Sequence, residues 1–341
     1  MNGDRPRRRS RRAALCAVAV LVAPVALVAG PPPAARAAAP SAPDPAGPSP
    51  LTGIAGSAPN RPALVVKIDN APAARPQTGL NQADVVFEEL VEGRMTRFAA
   101  VFHSQDSAPV GPVRSARSTD IAVFSAFHRP LFAYSGANAV FQTQIRQAPL
   151  VDVGYHAAPD RYYREASRHA PYNLFSRTPA LFQLAPADSV APPALFAYRG
   201  AGEAPAGPGM VAVQQLSARW ATQVDYRWDP AVGEWWRAQD GRPHVDAAGR
   251  GVAPANVVVQ FVAYRDTGLR DHSGAAVPEA QVVGDGDAWI LTGGQLIPAH
   301  WSKPSAEAVT RWVDGAGADV KLAPGRTWVE LAPPGSVTHT P

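Results

Sequence analysis

One cysteine, Cys16, occurs in 341 residues. A lone thiol excludes a disulfide framework and any cysteine-built zinc site. Catalytic signatures are missing as well. The chain has no Gly-x-x-x-x-Gly-Lys-[Ser/Thr] loop, no His-Glu-x-x-His pair, no Gly-x-Ser-x-Gly elbow and no Gly-x-Gly-x-x-Gly turn opening a helix. None of the eight histidines has metal-ligand spacing to another, so neither metal nor cofactor is expected. Gly284-Asp285-Gly286-Asp287 lacks the full calcium-loop spacing and reads as a hairpin turn.

Basic charge is also scarcer than the formal net charge of +4 suggests. Residues 1–37 hold seven arginines and one acid, Asp4; the remainder has 25 basic and 27 acidic residues, about −2. The excess is thus an N-terminal address. A nucleic-acid footprint would need a basic face on the folded part, so no nucleic-acid partner is expected.

What is present starts with Arg7-Arg8-Arg9-Ser10-Arg11-Arg12, followed by the uncharged apolar stretch 13–30 and the small residues Ala35-Arg36-Ala37. This is the order of a secretory signal, here assigned to residues 1–37. Ser10-Arg11-Arg12 is compatible with twin-arginine export as well as the general route. An uncleaved anchor is a third reading, since 18 residues just suffice to span a bilayer. A lipid-attachment cysteine would follow the apolar stretch, and Cys16 stands at its start. The nine prolines of residues 31–59 mark a spacer, assigned to 38–59, with folded sequence from about Arg61.

Leu64–Ile68, Asp84–Val91, Phe98–Phe102 and Leu131–Tyr134 read as strands, and Ser118–Phe127 and Asn138–Gln147 as helices, the first capped by Ser118 or Thr119. A Pro/Ala/Gly-rich stretch at 185–208 separates this part from a strand-rich remainder that reads as a meander of hairpins. The expected class is α/β or α+β. A layered mixed-sheet domain with helices (60–208) precedes a smaller β-rich domain (209–333) and a tail (334–341). Trp235, Trp236, Trp289, Trp301, Trp312 and Trp328 have strand spacing; core packing is the default, stacking on a sugar or partner the alternative.

Polar chemistry is densest between Asp69 and Arg117. Candidate ligand-binding residues are Asp69, Asn70, Arg75, Glu88, Glu92, Arg97, Arg114, Ser115 and Arg117. Counting by two along a strand puts Glu88 and Glu92 on one face, where two carboxylates suit acid/base work. The plain alternative is a solvated face with Arg97 as counter-ion. Arg114 and Arg117, three apart before a helix, suit a phosphate or carboxylate; the plain alternative pairs them with Glu88, Glu92 or Asp120. Nothing local supplies Ser115 with a base, the nearest histidines in sequence being His103 and His128.

Several ordered blocks carry a resemblance: residues 61–70, Ala74-Arg75-Pro76-Gln77-Thr78-Gly79-Leu80, Gln82-Ala83-Asp84, Glu88, Val91-Glu92-Gly93, Thr96-Arg97-Phe98, residues 111–117, residues 256–260 and residues 322–330. They resemble the YerB-like family of bacterial cell-envelope proteins, often lipoproteins, over about 60–333. The resemblance implies an N-terminal α/β domain, a smaller β-rich C-terminal domain, extracytoplasmic residence and contact with cell-wall synthesis. It implies no established catalytic mechanism. Two positions depart from the family pattern: the missing lipid-attachment cysteine, and Tyr172 where a histidine precedes Asn173-Leu174.

Two functions remain. One is a non-catalytic envelope module that binds a wall polymer, a wall precursor or an envelope protein through Arg97, Arg114 and Arg117. The other is an enzyme with Glu88 or Glu92 as acid/base and Arg114 and Arg117 as anion clamp. A third, purely structural reading has the polar cluster welding the two domains together.

Overall fold

The computed structural model describes residues 47–56, 58–271 and 274–341. The signal segment and the first part of the spacer lie outside them. No described helix is long and apolar enough to cross a membrane.

Runs rich in valine, isoleucine and aromatic residues build an eleven-stranded mixed sheet. From one edge it runs Arg311–Asp314, Gln295–Lys303, Gly284–Thr292, Asn256–Phe261, Thr327–Ala332, Val85–Val91, Met95–Phe102, Leu64–Asp69, Leu131–Ala133, Val151–Asp152. Val211–Ala212 adds beside Gln295–Lys303. Strand 327–332 lies parallel to both its neighbours, 256–261 and 85–91. One continuous sheet therefore contains strands from both sides of residue 208. Hairpins account for 284–303 and its neighbours, but 327–332 leaves the meander and returns to the centre of the sheet. Sequence spacing cannot show this, because a parallel neighbour is reached by a crossover of any length.

Both faces of the sheet are covered. Alternation sends Leu64, Val66, Ile68, Phe98, Phe102, Val257, Val259 and Trp328 to one face. There they meet Leu216, Val224, Tyr226 and Trp235 of a five-stranded antiparallel sheet. Its order is Arg242–Pro243, Glu234–Gln239, Gln223–Asp229, Gln215–Arg219, Val337–Thr340. Val65, Val101, Val258, Val329 and Leu331 point the other way, towards Phe124 and Ile145 of the helices Ser118–Phe124 and Ala139–Gln147. Each fully buried side chain of this kind contributes about 1.5–3 kcal/mol. Strand makes up 39% and helix 10% of the described residues, so the fold is α+β in the coarse sense and mostly β.

Four local expectations are corrected. Residues 47–56 are not spacer: Leu51 is fully buried and its carbonyl accepts from the Tyr198 hydroxyl. Residues 337–340 are not a loose tail but the edge strand beside 215–219. The segment 284–287 is strand, not turn; Gly286 lets the Trp301 indole lie where a Cβ would stand, 2.8 Å away. The first helix ends at Phe124, short of Phe127, and its N-cap is Arg117; Thr119 is not the cap, since its hydroxyl accepts from the Ala280 amide.

Candidate binding crevice

Strands 64–69, 131–133 and 151–152 are parallel. In open sheets of this kind ligands bind outside the carboxyl ends of the strands. The segment after Pro112 is stitched there by backbone bonds: Arg114 N donates to the Lys67 carbonyl (2.9 Å), Ser135 N to the Arg114 carbonyl (3.0 Å) and Ala116 N to the Gly136 carbonyl (2.9 Å). This brings Ser115 and Arg117 beside the loop that enters the helix 139–147. Asn138 caps that helix by accepting from Val140 N. A crevice of about 450 Å³ results, lined by Glu92, Ser115, Arg117, Asn138, His156 and Arg270 among others.

Alternation also places Lys67, Asp69, Glu89 and Arg97 behind this crevice, on the helix-covered face of the sheet. Lys67 Nζ lies 2.6 Å from Glu89 Oε1 and 2.8 Å from Asp120 Oδ1. Arg117 holds both Glu92 oxygens at 2.6 Å, a bidentate pair. Its third nitrogen donates to the Ala116 carbonyl, and Asp120 accepts from its amide (2.7 Å). Arg114 Nε sits 2.8 Å from Asp69 Oδ2. Arg97 is 5% exposed, donates to the Ser115 carbonyl at 3.1 Å and has no carboxylate within ion-pair distance among the described residues. Burial first, and then neighbouring Arg117, pull its pKa down to about 10. Burial and then Asp120 push Glu89 up to about 7, against the pull of Lys67.

Glu88, Asn70 and Arg75 are not in this group. Glu88 and Glu92 do not share a face, contrary to the count by two. The strand stops at Val91, and a turn through Gly93, at φ 67°, redirects Glu92 to Arg117. Glu88 points the opposite way, into a fully buried network under the five-stranded sheet. It accepts from Arg237 (2.6 Å), Thr96 (2.6 Å) and Asn70 (3.3 Å). Glu330 stands beside it in register on the parallel strand and accepts from the Tyr226 hydroxyl (2.7 Å). Two carboxyl groups thus face one guanidinium. Burial and the Glu88 charge raise Glu330 well above the carboxylate range, so Glu330 keeps its proton. Arg237 continues to His244 Nδ1 (2.7 Å), whose Nε2 meets Gln77 Oε1 (3.1 Å). Burial, then Arg237, hold His244 neutral. Arg75 sits at the rim, paired with Asp240 (2.7 Å), in a separate cleft of about 530 Å³.

Of the nine expected residues, Asp69, Glu92, Arg97, Arg114, Ser115 and Arg117 come together. Lys67, Glu89, Asn138, His156 and Arg270 were outside that set, as were Arg237, Tyr226, Glu330 and His244 of the other network; Asp120 was considered only as a counter-ion for Arg114 or Arg117. Lys67 and Glu330 carried a usable signal: each is a lone charge inside a buried apolar run, which folds only if paired. Tyr172 lies in the loop between strands 162–164 and 174–176, its amide on the His169 carbonyl.

The chain belongs to the family of proteins of unknown function described as DUF3048. Its N-terminal domain matches residues 51–191 and its C-terminal domain residues 214–329. The YerB-like resemblance holds. A relative named "Putative lipoprotein YerB", from Bacillus subtilis (strain 168), is 27% identical over 313 residues, spanning 84% of this chain and 86% of that one. The crystal structure of YerB protein from Bacillus subtilis superposes with a TM-score of 0.73 at 22% identity, covering 86% of this chain and 99% of that one. This likeness establishes the shared fold.

Proposed function

We propose that the protein is an envelope-associated binding module that takes an anionic group, phosphate or carboxylate, in the crevice at Ser115, Arg117, Asn138 and His156. The envelope setting rests on the exported look of residues 1–37 and on the relative's name as a lipoprotein. A wall polymer, its precursor or an acidic envelope protein would supply such a group.

One observation carries the reading: behind the crevice Arg97 is buried with no carboxylate at ion-pair distance among the described residues. Lys67, Arg97, Arg114 and Arg117 face Asp69, Glu89, Glu92 and Asp120, yet Arg97 has no carboxylate partner and Glu89 holds its proton up to about 7. The unpaired Arg97, the uptake of a proton by Glu89 below about 7 and the amide-rich start of the 139–147 helix favour an anion. The acid/base alternative has less support. Both oxygens of Glu92 are occupied by Arg117, and Glu88 is sealed on the far face.

Calorimetric titration with inorganic phosphate, diphosphate and succinate tests the proposal. Binding is expected for at least one, weakened about tenfold by Arg117→Ala and by the exposed Arg270→Ala. It should weaken with salt and tighten as pH falls through about 7, where Glu89 becomes neutral. No binding by any of the three, or binding indifferent to both variants, overturns the reading.

A further inference from the structure

A second groove, remote in chemistry from the crevice, lies along the strands Gly284–Thr292 and Gln295–Lys303, beside the turn at Pro334 and Gly335. Its volume is about 920 Å³, and it shares no lining residue with the crevice. Alternation aligns Asp285, Asp287 and Trp289 on one face of their strand. From Asp285 to Trp289 is about 13 Å, longer than a single sugar ring.

Cross-strand register sets His300 opposite Asp287 and the exposed Pro298 opposite Trp289. His300 Nε2 is 3.5 Å from Asp285 Oδ2, and its Nδ1 is 3.8 Å from Asp287 Oδ1. The Trp289 indole is partly exposed; it touches the Phe261 ring and the His339 ring, each at 5.3 Å between centroids. The lining contains both aspartates and neither lysine nor arginine. Among the described residues no group of histidine, cysteine and carboxylates is arranged to hold a metal ion.

We propose that this groove binds an oligosaccharide without acidic groups. A pyranose ring offers an apolar C–H face and a rim of hydroxyls. Trp289 and Pro298, with the Phe261 ring standing perpendicular to the indole, supply the apolar surface that the first needs. Asp285, Asp287 and His300 stand along the same face as acceptors and donors for the second, where a hydroxyl bonded to a carboxylate makes a strong, directional contact. Acid without base complements neutral and amine-bearing sugars and repels uronic or phosphorylated ones. A few placed polar groups over an apolar floor are the usual make-up of a small-molecule site. An envelope module with this groove would hold a glycan strand at one place and an anionic group at another.

Calorimetric titration of the full chain with chitotetraose, cellotetraose and tetragalacturonate tests it. One of the two neutral sugars should bind at concentrations up to about 10 mM, and tetragalacturonate should not. Asp287→Ala, at an exposed side chain, and Trp289→Ala should each weaken binding about tenfold, with the exposed Arg129→Ala, which lines neither site, unchanged. His300→Ala, also exposed, serves if Trp289→Ala fails to fold. The proposal is overturned if neither neutral sugar binds, if the acidic sugar binds as well as the neutral ones, or if binding survives Asp287→Ala. Self-association in sedimentation that Asp287→Ala abolishes would assign the groove to a second copy of the chain and overturn it too.

Discussion

Glu88 and Glu89 are consecutive residues of one strand, both buried, and they belong to opposite faces of the central sheet. Glu88 sits in a network sealed by the five-stranded sheet, its oxygens held by Arg237, Thr96 and Asn70. Glu89 sits on Lys67, in a cluster whose Arg117 lines an open crevice. The two clusters use the same residue types and differ in access and in charge balance. On the sealed face one proton on Glu330 closes the account between two carboxyls and one guanidinium. On the open face four cations meet four carboxylates, and a positive excess arises as Glu89 takes up its proton, below about 7. Solvent reaches the buried charge only on the open face.

Three changes test that contrast. The largest effect is expected for Arg237→Ala, which leaves Glu88 buried without a cation. Unfolding in denaturant should show a loss of about 3–5 kcal/mol. Retention of wild-type stability would mean that water enters this face after all. Glu330→Gln should cost less than about 1 kcal/mol at neutral pH, because an amide replaces a neutral acid. The folded state favours protonated Glu330, so its contribution is present at low pH and is lost as pH rises through the raised pKa. Glu330→Gln should accordingly remove a decline in melting temperature that begins as pH rises above about 4.5.

The smallest effect is on slope rather than size. Glu89 is raised in the fold to about 7, so its ionisation withdraws stability as pH climbs from about 4.5 to about 7. Glu89→Gln should flatten the melting-temperature profile over that window and the pH dependence of anion binding with it. An unchanged slope would place the titrating group elsewhere.

Much of the fold was legible because its signals are local. Leu64–Asp69 and Thr327–Ala332 are apolar β-branched runs, and Asn138 announces its helix with a cap. The pairing of Arg117 with Glu92 was among the readings of the sequence, since both fall in one dense polar segment. The Glu88 network was not legible. Its partners Arg237, Tyr226 and Glu330 come from the other end of the chain, with Arg237 separated from Glu88 by 149 residues. The count by two also failed at Glu92, because alternation holds only while the strand lasts and Gly93 ends it.

By itself the sequence determined most of the segments that become strands and that the basic excess is N-terminal. Each follows from hydropathy and backbone preference over a few neighbouring residues. Only the tertiary structure decided that strand 327–332 wedges between 256–261 and 85–91, and with it which carboxyl meets which cation. Alternation assigns a side chain to a face; the order of strands across the sheet assigns its partner, and that order is settled by packing among residues far apart in the chain.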